Sequence, residues 1–144
     1  MGVYTRFKKA PGGFRNLVVL LETTPLSRRK NMIDVGMMED PEYTQRALKY
    51  MMNFEDILGL PDPELAEVIG DTPAELVAFA IHSCDEELKT KFLRMAMPKM
   101  VPTIREILTL TATNQQISGG RSKMIEAARK LEKRGIVKTK HIPD

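Results

Sequence analysis

Residue types able to do covalent or acid–base chemistry are few in this 144-residue chain, and they do not gather. His82 and Cys84 stand two apart, a spacing that sends them to different faces of a helix, so they make no thiol–imidazole dyad. The only other histidine, His141, lies in a polar stretch near the end. A single cysteine excludes an internal disulfide framework and offers no Cys-rich zinc site, and Cys84 reads as a small buried hydrophobe. Gly119-Gly120-Arg121-Ser122-Lys123 has some of the composition of a phosphate loop but lacks the Walker spacing and a preceding strand, and it reads as a flexible start to the final helix. The carboxylates fall at helix starts and on solvent faces, where capping and the helix dipole account for them. No catalytic residue, metal ligand or cofactor is expected, and the chain reads as a non-enzyme.

The arrangement with more to offer is a charged ridge. From Pro98 to Leu110, the apolar positions Met100, Ile104, Ile107 and Leu108 recur at helical spacing and account for burial. Lys99, Thr103 and Glu106 then share an outer stripe at i, i+4 and i+7, with Arg105 beside it. Mixed-sign charge on a short rigid helix suits contact with another protein. Pro102 removes a backbone donor near the helix start and should tighten or bend that turn.

The elements that must position this ridge read as helices throughout. Thr24-Pro25, Asp40-Pro41, Asp62-Pro63 and Thr72-Pro73 each place a capping oxygen before a proline, and Thr72 to Glu75 has the capping-box pattern. Asp85-Glu86-Glu87 supplies another acidic start, and Gly36, Gly70 and Gly135 sit where helices should stop. Apolar stripes at spacings of three and four run through Phe14, Leu17, Val18 and Leu21, through Ala47, Leu48 and Met51, and through Met124, Ile125, Ala128 and Leu131. The run Leu76 to Ile81 is apolar nearly all round, the mark of a central helix. The fold class is therefore all-α, a right-handed stack of helical hairpins. A break near 50–54 divides it: an N-terminal tail over 1–11, a three-helix unit over 12–52, a six-helix unit over 53–137 and a tail over 138–144.

Composition bounds the partners. With 42% hydrophobic residues the chain can bury a core, and its longest aliphatic run, Leu17 to Leu21, falls far short of the ~20 residues of a membrane helix. Residues 1–30 carry seven basic groups against one acidic, and 115–144 eight against three, while the middle is acidic. Such ends could meet phosphate, yet no aromatics interleave with the Lys and Arg to stack bases, so nucleic acid is not the expected partner. A soluble, intracellular protein is expected.

Several stretches resemble the flagellar motor switch protein FliG. Met51-Met52-Asn53-Phe54-Glu55-Asp56-Ile57-Leu58 is similar to that family's Met-Phe-x-Phe-Glu-Asp-Leu stretch, with Met52 at the first Phe. Gly12-Gly13, 39 positions earlier, is similar to the family's hinge glycines. Asp85 to Arg94 and Arg129 to Ile136 resemble the segment before its torque helix and its closing helix. The match runs from about Gly12 to Val137.

The resemblance implies an armadillo-like three-helix unit followed by a six-helix unit holding a stator-facing helix. It implies a rotor or switch role with protein partners FliG, FliM or a MotA-like stator, or self-association into a homo-oligomer. It implies a location at the cytoplasmic face of the flagellar basal body. Carried over by position, a family basic residue falls on His82 and another on Lys99; the acidic pair falls on Glu106 and Ile107, so one acid is absent. The hinge role falls on Gly12, Gly13, Met51, Met52 and Phe54. The Gly-Pro-Val-Arg turn after the helix is replaced by Ala112-Thr113-Asn114-Gln115. With eleven residues before Gly12, a free-standing C-terminal domain is expected. Phe14, Val18 and Leu21, in a stripe widened by Val19 and Leu20, are the expected partner-binding face for a capping or regulatory module.

Overall fold

In the computed structural model, which describes residues 2–143, the regular structure of the described residues is entirely helical. The helices are α1 (Val3–Lys9), α2 (Gly13–Thr23), α3 (Leu26–Glu39), α4 (Pro41–Tyr50), α5 (Phe54–Leu58), α6 (Asp62–Gly70), α7 (Ala74–Ile81), α8 (Glu86–Met95), α9 (Val101–Leu108) and α10 (Asn114–Lys133), with a 3₁₀ turn at Pro98–Met100 before α9. The chain forms two compact units, Met1–Met52 with Lys140–Asp144, and Asn53–Thr139.

The first unit closes around Tyr4, Leu17, Val18, Leu21, Tyr43, Ala47 and Ile142. Two of those residues correct the expected tails, whose outermost residues Met1 and Asp144 lie outside the described residues. Residues 3–9 are helical, and Tyr4 is buried with its hydroxyl donating to the Met32 carbonyl at 2.5 Å. At the other end Ile142 is buried in the same core. The unit thus has four helices where the sequence reading placed three. Tyr4 and Ile142 are isolated apolar residues in polar stretches, and a single anchor generates no periodicity.

Gly36 is not a stop either. It lies inside α3 and is buried, and a Cβ there would overlap the Tyr4 ring and meet Thr44 Oγ1 at 2.5 Å. Of the four cap-proline pairs, Asp40-Pro41 caps as read, its Oδ1 accepting from the Tyr43 N–H at 3.2 Å. Thr24 and Thr72 instead donate their hydroxyls back to the carbonyls of Leu20 and Val68, and Asp62 is already helical. The capping boxes form at Asn53/Asp56 and Thr113/Gln116. In both, side chain and backbone exchange hydrogen bonds across the first turn.

The second unit is organised on α7, which packs against both α10 and α9; α10 also packs on α5 and α6, and α6 on α8. Val77, Ala78, Ala80 and Ile81 of α7 are buried, facing helices that bury Ile104, Met124 and Ala128. Gly119 and Gly120, read as a flexible start, lie in the first half of the 20-residue α10. Gly120 is buried, and a Cβ there would stand 2.5 Å from the Leu76 carbonyl oxygen and 2.7 Å from the Ala80 nitrogen. The helices touch backbone to side-chain-free backbone at this point. One turn from the end of α10, Arg129 and Glu132 form an ion pair at 2.9 Å with both side chains out of solvent.

Gly120→Ala sets a helix-propensity gain of about 1 kcal/mol against an overpacking cost of about 1–3 kcal/mol. Because the obstructing atoms are backbone, the cost wins, and urea titration should show a lower midpoint. A second expectation concerns acid. The hydrogen bond from Lys8, at 2.9 Å, and then the one from the Tyr43 N–H hold the Asp40 carboxyl below the ordinary carboxylate range. The contribution of Asp40 to stability is therefore complete above the pKa of an unfolded-chain aspartate and is lost as pH falls through its depressed folded value. Asp40→Asn should flatten that part of the acid limb in a pH series of urea titrations.

Candidate functional site

The ridge on α9 forms, with one change of backbone. Lys99 sits in the 3₁₀ turn and not in the α-helix, which begins at Val101. Pro102 occupies the first turn, where its missing N–H is an orphan in any case, so it starts the helix without bending it. Met100, Ile104 and Ile107 are buried, Leu108 half-buried, and Lys99, Arg105 and Glu106 are exposed. Among the described residues none of these three is in an ion pair. Thr103, assigned to the outer stripe, is half-buried. Arg105 lies in the last turn, where its charge also suits the helix dipole. The acidic partner position, Ile107, faces inward, so the ridge carries two bases and a single acid.

His82 does not join Lys99. It ends α7, and its Nε2 lies 2.5 Å from the carbonyl oxygen of Leu110, just beyond the C-terminal end of α9. As the Nε2–H tautomer it donates there, fastening α9 to α7. Lys99 lies beyond the other end of that eight-residue helix, on the order of 12 Å away along the axis. Exposed Met97 and Leu110 bracket the ridge.

The hinge residues separate into two groups. Gly12, with φ of 68°, and Gly13 form the turn between α1 and α2, inside the first unit. A Cβ on Gly13 would overlap the Phe7 carbonyl, so this glycine serves a close approach and not freedom of movement. Met51 and Met52 close the first unit: the Met51 N–H donates to the Leu48 carbonyl, and the Met52 N–H donates at 2.6 Å to the buried carboxylate of Glu22. Asn53 and Phe54 open the second: the Asn53 N–H donates to Asp56 at 2.9 Å, and Arg121 stacks 4.5 Å over the Phe54 ring. Every backbone donor from Met51 to Asn53 is thus satisfied within its own unit. The boundary between the units falls at the Met52–Asn53 linkage.

The expected partner face on α2 is withdrawn. Val18 and Leu21 have no solvent exposure, and Phe14 is half-buried, its ring 5.5 Å from that of Tyr43 and under the Arg46 guanidinium. Helices α1 and α4 and the side chain of Ile142 close over that stripe. Apolar surface is exposed instead at Leu26, Val35 and Met38 of α3.

Two residues that carry this geometry were given no site role from the sequence. Arg121 donates from Nε to the Ala80 carbonyl at 2.9 Å and from Nη2 to Ser83 Oγ at 3.0 Å, with Cys84 Sγ at 3.7 Å. Cys84 is consequently half-buried beside a cation and not within the core. Glu22 is a carboxylate one position from Leu21 at the edge of an apolar stripe, and that was its signal. Among the described residues no group of three His, Cys, Asp or Glu side chains could hold a metal, and no helix is long and apolar enough to cross a membrane. An open groove along α8, of about 710 Å³, is lined by Asp85, Glu86, Glu87, Lys91 and Arg94 and contains no histidine or cysteine.

The chain is thus a two-unit all-α protein in which the outer face of α9 carries exposed charge. Residues 37–138 match the family model described as the FliG C-terminal domain, and the chain belongs to that family. It is 25% identical over 128 residues to the flagellar motor switch protein FliG of Borreliella burgdorferi, covering 88% of this chain and 37% of that protein. Against the FliG of Bacillus subtilis it is 24% identical over 136 residues, covering 93% and 40%. The chain thus spans about two-fifths of the length of these relatives, whose names describe a motor switch and no enzymatic activity. The crystal structure of FliG residues 86–343 from H. pylori shares the fold, with a TM-score of 0.64 at 18% identity over 95% of this chain and 66% of that one.

Glu22→Ala leaves the Met52 N–H without its buried acceptor. Amide exchange at Met52 should quicken by about tenfold to a hundredfold, corresponding to a penalty of ~1–3 kcal/mol, while Glu22→Gln keeps most of the protection.

Proposed function

We propose that this chain is a non-enzymatic rotor or switch component, related in action to FliG, that works through charged contacts made by α9. The observation that carries this reading is that Lys99, Arg105 and Glu106 stand exposed on one short helix whose opposite face is buried. Each such surface contact contributes on the order of 0–1 kcal/mol, which suits a surface that must engage and release repeatedly. The complementary partner is a stator-like protein of the MotA kind bearing opposite charges, at the cytoplasmic face of the basal body. Direction would change by rigid-body turning of the second unit about the Met52–Asn53 linkage. In the first unit, α2 to α4 supply the armadillo-like unit, to which α1 adds a fourth helix.

A second reading is favoured by the apolar residues exposed on α3, where Met38 is 88% and Leu26 67% accessible. A regulatory or capping module would use them to associate with FliG, with FliM or with a second copy of itself.

Reversing charge in the double variant Lys99→Glu/Glu106→Lys should reduce swimming speed in a strain that depends on this protein, with folding stability changed by no more than about 0.5 kcal/mol. Normal swimming in that strain would exclude the first reading. Sedimentation and pull-down with purified FliG and FliM separate the second: Met38→Asp should abolish any association that α3 makes, and full association despite the charge would remove it.

A further inference from the structure

The polypeptide passes between its two units twice, once at Met52–Asn53 and again at Thr139–Lys140. Both passages are short. On the second unit's side, the chain is held up to Lys138, whose N–H donates to Glu64 at 3.0 Å and whose amine donates to the Gly135 carbonyl. On the first unit's side it is held from Lys140 onward. Lys140 turns the chain with a positive φ of 55°, and its amine donates to the Lys49 carbonyl at 3.2 Å. Ile142 then enters the core of the first unit, and its carbonyl accepts from Arg15 at 3.3 Å. Thr139 alone bridges the two held segments.

The landing site matters. Lys49 is in the last turn of α4, three residues before Met52, so the second passage meets the first unit beside the first passage. A body joined to another by one flexible linkage can swivel in every direction. Joined by two short linkages, it can turn only about the line through them.

We infer that residues 138–142 are a strap that limits the second unit to turning about a single axis, and that withdrawal of Ile142 from its pocket frees it. The inference deepens the reorientation part of the proposed function and does not involve the charges on α9. Docking sets the burial of one isoleucine and two hydrogen bonds to backbone carbonyls against the entropy of ordering four residues. Those opposing contributions are similar in size, as a releasable strap requires. In a one-residue bridge the length of the strap is itself the restraint, and that separates this role from simple completion of the core.

The test is a distance distribution between spin labels on Ser27→Cys in α3 and Ser118→Cys in α10, both exposed positions, in the full chain with Cys84→Ser. The unmodified strap, which leaves one axis of turning, should give the narrower distribution. Inserting six Gly/Ser residues between Thr139 and Lys140 keeps Ile142 seated but slackens the strap, and should broaden the distribution by on the order of 10 Å, the reach of such a linker. Ile142→Asp should broaden it at least as much. An insertion variant no broader than the parent overturns the inference even if Ile142→Asp fails to fold. Neither result bears on α9, whose charge-reversal phenotype is read separately.

Discussion

What α9 can present depends on how closely α10 approaches α7. Helix α7 is only eight residues long, and it supports α9 on one side and α10 on the other. Gly120 lets the α10 backbone settle onto the Leu76 carbonyl and the Ala80 nitrogen. From the next residue, Arg121 reaches the Ala80 carbonyl, Ser83 and the Phe54 ring. His82, at the end of α7, then fastens the far end of α9 through Leu110. A chain of contacts therefore runs from a side-chain-free helix crossing to the charged ridge. Displacing α10 outward would pull Arg121 from its carbonyl and loosen the turn that carries His82.

The same economy governs the joint. A backbone N–H left without an acceptor in a buried place is costly, so segments that must bend keep their donors satisfied in every position they adopt. Here Met52 is satisfied by Glu22 and Asn53 by Asp56, each inside its own unit. Turning about the bonds between them breaks neither hydrogen bond. The methionines on one side and the capping box on the other make the boundary abrupt.

Periodic features were legible in the sequence and singular ones were not. The all-helical class, the stripes that bury Leu17, Ile104 and Met124, and the outward charges at Lys99, Arg105 and Glu106 all follow from spacing. The α1 helix and the docking of Ile142 do not, because each depends on one apolar residue finding a distant pocket. Glycine was the residue most often misread. Gly36 and Gly120 have the composition of helix ends, yet both lie within helices, where the absent Cβ admits a neighbour; only the tertiary contact distinguishes the two uses. The Thr-Pro pairs failed for a related reason: a threonine hydroxyl that can reach back to a carbonyl four residues earlier does so, leaving no cap.

Burial of Ile107 bears on how the ridge could work. A second acid at that position would be turned toward the core, where an unpaired carboxylate is strongly disfavoured. The ridge as built therefore offers two bases and one acid, and its net charge is positive. A partner surface rich in carboxylates would be drawn to it, while Glu106 would set the register by rejecting a carboxylate placed against it. Attraction of that kind falls off beyond a Debye length of about 8 Å at physiological salt, so it acts only once the partner is close. Contact would then be selected by position along the helix more than by strength, and a rigid presenting unit matters more to such a surface than additional charge.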